Sequence, residues 1–167
     1  MQISWSFRHA SAFALKAAKL NPYDTGMETA TPFRYLHRVT YSECTLGNHV
    51  YYARYLDQLE AARSALFREL GQSFLAWQEQ GILFPVVECR LRYQRPARYD
   101  EVLAIEVWPT VIQRVRLNFG YQITNADHLP ILDAETFHAC SNLSEKPCRL
   151  PAELVNRLTP FIRSKTA

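Results

Sequence analysis

The spacing of apolar residues changes once along this chain, from a helical period to the two-residue period of strands, and this change constrains the fold most. Seven apolar residues recur every three or four positions: Val50, Ala53, Leu56, Leu59, Ala62, Leu66 and Leu70. This spacing puts them on one face of a helix, which Gly71 is placed to end. A helix of about 20 residues is roughly 30 Å long, so the segment predicts one long helix with a face for burial.

Beyond Phe84, apolar and polar residues alternate, which predicts half-buried strands. After an alternating segment over residues 84–94, the predicted strands are Val102–Trp108, ended by Pro109, then Val115–Ile123 and Pro130–Asn142. One strand, residues 33–40, precedes the long helix, and short helices are predicted over residues 74–80 and 151–158. The order predicts an α+β architecture in which an antiparallel meander is wrapped around one long central helix.

The composition is that of an ordinary globular protein. Hydrophobic residues make up 48% of the chain and charged residues 21%, and the net charge of +3 is too small to indicate nucleic-acid binding. There is no run of about 18 apolar residues, so no membrane span is expected. The four cysteines form no CxxC pair and none has zinc-ligand spacing with a histidine. We therefore expect reduced thiols, a cytoplasmic location and no metal site.

The first 26 residues differ from the rest of the chain. They carry Arg8, Lys16 and Lys19 but no acid before Asp24. Asn-Pro and Thr-Gly pairs at positions 21–22 and 25–26 are turn signals that mark a boundary. The sequence therefore predicts a loosely ordered extension over residues 1–26 and a single domain over residues 27–167.

Reactive side chains are concentrated between the first strand and the long helix, in residues 41–52. Glu43, Cys44, Thr45, Asn48 and His49 supply a carboxylate, a thiol, a hydroxyl, an amide and an imidazole. Asn48 is predicted to cap the helix. The free backbone N–H groups of residues 49–52 are expected to favour negative charge at the helix start. If the protein acts on a small molecule, we expect the chemistry here.

The residues around this turn also resemble a known family. Ala53-Arg54-Tyr55 and Glu60-Ala61-Ala62-Arg63 are similar to helix elements of hotdog-fold acyl-CoA thioesterases of the 4-hydroxybenzoyl-CoA thioesterase and YbgC-like group. Residues 92–101 resemble the family's second strand and turn, and residues 146–154 resemble its ending. The resemblance covers about residues 33–155. It implies a hotdog fold, an acyl-CoA substrate and hydrolysis of the thioester to a free acid and CoA.

The resemblance also shows one departure at the turn. The family's usual catalytic aspartate falls on Thr45, its preceding acid on Glu43, and its Gly-His pair on Asn48-His49. Several interpretations stay open. The base is Glu43 or His49, or Glu43 instead directs the attack of a water molecule. Thr45 holds that water or bonds to the thioester carbonyl. Asn48 donates a hydrogen bond to the thioester oxygen. Each of them also has a purely structural interpretation as a turn or capping residue. The alternative function is a non-catalytic acyl-CoA or acyl-carrier-protein binding module.

Two further sets of residues are predicted to bind the substrate. Arginine and lysine in loops suit the phosphates of coenzyme A: Arg95, Arg98, Lys146 and Arg149. Aromatic residues of the long helix are expected to line the acyl pocket: Tyr51, Tyr52 and Tyr55. The resemblance places such sites between subunits, which implies a homodimer or homotetramer. Coenzyme A enters as part of the substrate, and no separate cofactor is expected.

Overall fold

A computed structural model describes residues 30–163. The predicted N-terminal extension, residues 1–26, lies outside the described residues. Within them, the largest unit is a five-stranded antiparallel sheet in the order β1-β4-β5-β6-β3. Its strands are β1 (Phe33–Arg38), β3 (Val86–Tyr93), β4 (Val102–Gln113), β5 (Arg116–Thr124) and β6 (Pro130–Ala139). Two short strands, β2 (Ile82–Leu83) and β7 (Ser141–Asn142), pair separately.

One long helix, α1 (Arg54–Glu69), packs against β1 and β4 of the sheet. Its inward face includes Leu59, Ala62, Leu66 and Phe67, all at most 1% exposed. Inward residues of β4 and β5 complete the core: Leu103, Ile105, Val107, Leu117, Phe119, Tyr121 and Ile123. Burial of this apolar area is the main force that holds the helix on the sheet. The predicted α+β architecture with one long helix against an antiparallel sheet is confirmed.

The helix begins later than predicted. Asn48 is in the left-handed region, with φ of 54°, so it cannot be the extended residue that usually caps a helix. The N-cap is Ala53, which offers no capping side chain. The predicted end is confirmed, because Gly71 has φ of 87° just beyond Leu70 and glycine adopts this conformation without a steric penalty. The helix is therefore 16 residues long, or about 24 Å.

The strand order is not a simple meander. β4, β5 and β6 do follow one another in the sheet, but β3 pairs with β6 and forms the far edge. Pro109 does not end its strand either. It lies at a register shift between β4 and β5, and β4 continues to Gln113. Proline is tolerated there because a bulge leaves one residue out of the hydrogen-bond ladder.

The two remaining helices close the fold at its ends. α2 (Phe74–Glu79) is capped by Ser73, whose hydroxyl accepts from the Ala76 N–H, and α3 (Ala152–Leu158) precedes a 3-10 turn over Thr159–Phe161. Both short helices were predicted. Arg157 of α3 donates to the Leu70 carbonyl at the end of α1 and pairs with Glu153. No helix within residues 30–163 combines the length and the apolar character needed to cross a membrane.

Candidate active site

The segment after β1 is held by the Glu43 carboxylate. Tyr41–Glu43 forms a 3-10 turn with Thr40 as its N-cap. Glu43 Oε2 accepts from the Thr40 N–H at 2.6 Å and from the Thr40 hydroxyl at 2.8 Å. Since the free N–H groups of a helical turn need acceptors, this glutamate fixes the path of the chain as it leaves the strand.

The same carboxylate also binds two side chains from other elements. The His37 Nε2 of β1 donates to Oε1 at 2.9 Å, and the Gln58 Nε2 of α1 donates to Oε1 at 2.8 Å. The Glu43 side chain is only 13% exposed. Its partial burial raises the pKa, but the bonds from Thr40 and Gln58 and the charge of His37 outweigh this and lower the pKa overall. Glu43 is therefore ionised, and its hydrogen bonds connect the 3-10 turn to β1 and α1.

Residues 44–50 form a tight turn that presents His49. The Thr45 N–H and hydroxyl both donate to the His49 carbonyl, at 2.8 and 3.2 Å. Asn48 adopts the left-handed conformation, which glycine favours and asparagine tolerates. This explains physically how asparagine can stand where the family resemblance has glycine. The Asn48 Oδ1 accepts from the Tyr99 N–H at 3.1 Å, so its amide holds the 94–100 loop rather than the helix.

The start of α1 offers backbone donors, although not all those expected. The Val50 and Tyr51 N–H groups are used by the carbonyls of Ala97 and Glu43, at 2.9 and 2.8 Å. The N–H groups of Tyr52 and Ala53 donate to no other backbone group in the described part of the chain. Because no side chain caps the helix, these two groups can bind a developing oxyanion.

Among the reactive residues of the turn, His49 has a side chain that no hydrogen bond from the described residues holds in place. It is exposed, and its imidazole makes no hydrogen bond that anchors it within residues 30–163. The ring lies over Gly47, where a Cβ would be 3.7 Å from His49 Nδ1. Cys44 is half-buried and its thiol makes a long 3.7 Å contact with the Thr40 carbonyl. A free imidazole in the turn that leads to these uncapped N–H groups is an arrangement suited to general-base catalysis.

Comparison with known proteins identifies the family to which this turn belongs. The sequence profile of the thioesterase superfamily matches residues 47–131, about half of the chain. The chain belongs to the thioesterase superfamily.

Individual relatives agree with this assignment. The chain is 32% identical to the acyl-CoA thioester hydrolase YbgC of Escherichia coli over 126 residues, which are 75% of this chain and 94% of YbgC. It is 27% identical to a 1,4-dihydroxy-2-naphthoyl-CoA hydrolase of Synechococcus elongatus, over 78% of this chain and 95% of that protein. The solved 1,4-dihydroxy-2-naphthoyl-CoA thioesterase Slr0204 of Synechocystis matches with a TM-score of 0.72 at 21% identity, covering 76% of this chain and 95% of that one. The likeness confirms the predicted hotdog fold.

The three tyrosines predicted to line the acyl pocket of this thioesterase superfamily member divide into two kinds. Tyr51 and Tyr52 are 45% and 62% exposed, and their ring centroids are 4.5 Å apart. Tyr55 is 2% exposed, and its hydroxyl accepts from the Ala97 N–H at 3.1 Å. Burial raises the pKa of Tyr55 despite that bond. Tyr55 is therefore part of the core, whereas Tyr51 and Tyr52 are open to a ligand.

The four residues predicted to bind the phosphates of coenzyme A are not brought together. Arg95 and Arg98 lie in the loop after β3 that contacts the turn, and Arg95 donates to the Pro130 carbonyl at 3.2 Å. Lys146 and Arg149 lie in the loop after β7, where Leu150 bonds to the Arg114 carbonyl between β4 and β5. These loops flank opposite ends of the ten-residue strand β6, roughly 30 Å apart. Within one chain, only Arg95 and Arg98 adjoin the candidate site.

Sequence reasoning missed several buried polar residues. Two of them, His37 and Gln58, bind Glu43. The others form a second cluster under α1: Arg63, Tyr121, Thr136 and His138. A signal was present, since Gln58 and Arg63 lie at inward positions of the helix, and Thr136 and His138 continue the inward alternation of β6. Polar residues at positions of a core pattern indicate a site or a network.

Proposed function

We propose that this protein is an acyl-CoA thioesterase in which His49 acts as general base. Membership of the thioesterase superfamily supports the reaction class, and relatives named for acyl-CoA hydrolysis support the substrate class. The observation that carries the mechanism is the free His49 imidazole in the turn that leads into the uncapped start of α1. A non-catalytic binding role has no observation in its favour.

The proposed reaction needs no group beyond water and the chain itself. His49 takes a proton from a water molecule, whose oxygen attacks the thioester carbonyl carbon. The N–H groups of Tyr52 and Ala53 bind the oxyanion of the tetrahedral intermediate. When the intermediate collapses, the carbon–sulfur bond breaks and the protonated His49 returns the proton to the leaving CoA thiolate. Arg95 and Arg98 bind the CoA phosphates.

Glu43 and Thr45 have supporting roles in this proposal. Glu43 holds the turn to β1 and α1 through His37 and Gln58, and Thr45 fixes the backbone of His49. Both are positioning residues. A threonine in the place of the usual aspartate is then consistent with activity, because the base is the neighbouring imidazole.

We also propose that the active form is a homodimer or a homotetramer built from such dimers. β3 is an edge strand that pairs only with β6 among the described strands, and it exposes Val86, Val87 and Tyr93 by 47%, 65% and 47%. An exposed apolar edge is a template for pairing with another strand. Antiparallel pairing of two β3 strands would make one continuous sheet.

The four free thiols support a reducing compartment such as the cytoplasm.

Hydrolysis is tested by offering short, medium and aromatic acyl-CoAs to the purified protein with a thiol-trapping dye. We expect release of CoA thiol from at least one of them, and a His49→Asn loss of about 10²–10⁴-fold in kcat/KM. His128→Asn is the matched control, since His128 is an exposed histidine in the β5–β6 turn. Absence of turnover with every acyl-CoA would overturn the function. Full activity of His49→Asn would overturn the assignment of the base.

The oligomer is tested by light scattering after size-exclusion chromatography. Val87→Lys on β3 is expected to reduce the dimer fraction, since a lysine on an edge strand opposes pairing. Leu36→Lys is the control, because Leu36 is 60% exposed on β1, the opposite edge of the sheet. A wild-type protein that runs as a monomer at all concentrations would contradict the proposal.

A further inference from the structure

A buried arginine lies beside a cavity without a countercharge. Arg63 is 8% exposed and lines a cavity of about 340 Å³ between α1, α2 and the start of β3. No carboxylate lies within 4.0 Å of it in residues 30–163, and its Nε has no hydrogen-bond partner. A buried charge is unfavourable unless it is paired. The guanidinium carbon lies 5.7 Å from the centroid of the Phe74 ring, a cation–π contact, but the group has no anionic partner among these residues.

A directed chain of hydrogen bonds holds the Arg63 side chain in place. Arg63 Nη1 donates to the Tyr121 hydroxyl at 3.0 Å, and that hydroxyl is 3.1 Å from Thr136 Oγ1. Thr136 Oγ1 is 2.8 Å from His138 Nε2, and His138 Nδ1 is 3.1 Å from the Phe84 carbonyl. Because a carbonyl only accepts, Nδ1 carries the proton and Nε2 accepts from Thr136. The Thr136 hydroxyl then accepts from Tyr121, so the chain orients Arg63 through Nη1 while its Nε stays without a partner in the described part of the protein.

The cavity lies farther along α1 than the candidate active site, and two features connect these parts of the surface. Along α1, Leu56 and Arg63 are seven residues apart and share one face, and Tyr52 lies one turn before Leu56. Tyr52 and Leu56 are 62% and 41% exposed. The Tyr52 carbonyl accepts from the Tyr93 hydroxyl at the end of β3, while Val86 at the start of β3 lines the cavity. We name the path between these two ends, over α1 and β3, the α1–β3 groove; from Ala53 to Arg63 it covers about 15 Å of helix.

We infer that the α1–β3 groove binds an acyl group that carries its own carboxylate, with Arg63 binding that carboxylate. This rests on the proposed thioesterase function. Phe74, Ile82 and Phe84 make part of the cavity wall apolar, which suits a hydrocarbon chain. Arg63 supplies charge and planar donors, which suit a carboxylate better than a neutral chain end. The substrate class is therefore the monothioester of a dicarboxylic acid with CoA.

Glu60 is the acid closest along the helix and also lines the cavity, but it is exposed and forms no ion pair with Arg63. If Glu60 does not neutralise Arg63, its negative charge opposes a bound carboxylate. Replacing it with glutamine then strengthens the preference for carboxylate-bearing acyl groups. The effect of this variant therefore distinguishes an Arg63 that binds the substrate carboxylate from an Arg63 that is neutralised by Glu60.

The test compares matched acyl-CoAs that differ in the terminal carboxylate and are long enough for the roughly 15 Å between Ala53 and Arg63: decanedioyl-CoA with decanoyl-CoA, and dodecanedioyl-CoA with dodecanoyl-CoA. The wild-type protein is expected to prefer the dicarboxylic member by at least about tenfold in kcat/KM. Arg63→Gln is expected to abolish that preference while leaving hydrolysis of decanoyl-CoA within about threefold, and Arg63→Lys to retain part of it. Glu60→Gln is expected to increase the preference. Equal kcat/KM for both members of each pair in the wild-type protein would overturn the inference and leave the thioesterase function intact.

A binding measurement keeps the inference testable when hydrolysis or folding of a variant fails. Decanedioate is expected to raise the melting temperature of the wild-type protein more than decanoate does at equal concentration. This advantage should be lost in Arg63→Gln and kept only in part in Arg63→Lys or Tyr121→Phe. If no acyl-CoA is hydrolysed but decanedioate stabilises the protein in this way, the function fails and the carboxylate site stands. Equal stabilisation by the two acids overturns the site.

Discussion

The Gln58 amide donates a 2.8 Å hydrogen bond to the Glu43 carboxylate, and this bond joins the turn after β1 to the second turn of α1. Gln58 is 2% exposed. A buried amide on the inward face of a helix needs a partner, and the acid of the turn supplies it. The position of the reactive segment relative to the helix start is therefore set inside the protein.

Glu43→Ala is expected to destabilise the protein by about 2–4 kcal/mol, because the Gln58 amide and the Thr40 N–H lose their acceptor. Urea denaturation measures the change. Glu69→Ala is a suitable control, since Glu69 is an exposed acid near the end of α1. A variant with unchanged stability and no activity would instead make Glu43 part of the chemistry.

The lowered pKa of Glu43 also predicts a pH dependence of stability. The folded protein favours the carboxylate, so Glu43 stabilises the fold fully above its ordinary pKa of 4.5. This contribution is lost as the pH falls through the lower pKa of the folded state. Glu43→Gln removes it, so the variant should lose less stability than the wild-type protein on acidification below about pH 4.5. If the free energy of unfolding falls equally with pH in the two proteins, protonation of Glu43 is not linked to folding.

Thr45→Val tests whether this residue acts by positioning His49. The substitution removes the hydroxyl bond to the His49 carbonyl but keeps the Thr45 N–H bond. Loss of one such bond is worth about 0.5–1.5 kcal/mol, so kcat should fall by about threefold to tenfold with the pH profile unchanged. Thr45→Ser should restore activity. A loss of more than about a thousandfold in both variants would indicate direct participation in the reaction.

The fold followed from local patterns in the sequence to a large extent. The helical period of α1, its end at Gly71 and the alternation in β5 each depend on neighbours close in the chain, and each was predicted. The place of β3 at the edge of the sheet was not, because strand order depends on long-range pairing with β6. The late start of α1 was missed because the left-handed conformation of Asn48 depends on the Thr45–His49 bonds.

The sequence predicted where the candidate site lies, but not which of its residues is held by hydrogen bonds and which is free to react. Glu43 and His49 were equal candidates for the base, since spacing alone does not distinguish an engaged acid from a free imidazole. The partners of Glu43 come from β1 and α1, and only the assembled fold brings them together. In the same way, Arg149 and Arg95 are both basic loop residues, yet they lie at opposite ends of the sheet.

His138 predicts a second pH dependence, in a higher range. Its burial, together with the charge of Arg63, lowers its pKa from 6.5 to about 4, although the Phe84 carbonyl acts in the other direction. Between these values the unfolded chain binds a proton that the folded protein does not, so stability decreases as the pH falls from about 6.5 to about 4. The loss is about 3 kcal/mol. Above pH 6.5 this residue contributes no pH dependence.

His138→Gln is expected to remove this part of the pH dependence while costing stability at pH 7, because glutamine does not reproduce both bonds of the imidazole. Free energies of unfolding at pH 7, 6 and 5 measure the effect. His128→Gln, which changes the exposed histidine of the β5–β6 turn, should follow the wild-type curve. The prediction is wrong if His138→Gln and the wild-type protein lose equal stability between pH 7 and pH 5.

Cys140 and Cys148 are expected to form a disulfide under mild oxidation. Their sulfur atoms are 3.4 Å apart on neighbouring segments joined by the 2.9 Å bond from the Cys148 N–H to the Cys140 carbonyl. A disulfide has an S–S length of about 2.05 Å, so a small side-chain movement suffices. Burial and the neighbouring thiol raise the pKa of Cys140 to about 12. The half-buried Cys148 therefore attacks an oxidant first.

Oxidised glutathione is a suitable reagent, since it accepts the two electrons. The Cys148 thiolate forms a mixed disulfide and releases one glutathione thiolate, and the Cys140 thiolate then displaces the second. Because Cys140 is buried and protonated, the second step should be slow, so the mixed disulfide accumulates before the loss of two hydrogens appears by mass spectrometry. The experiment uses a Cys89→Ser background, which removes the exposed thiol. Cys148→Ser should block the internal product. Persistence of two alkylatable thiols at positions 140 and 148 after prolonged oxidation would contradict the prediction.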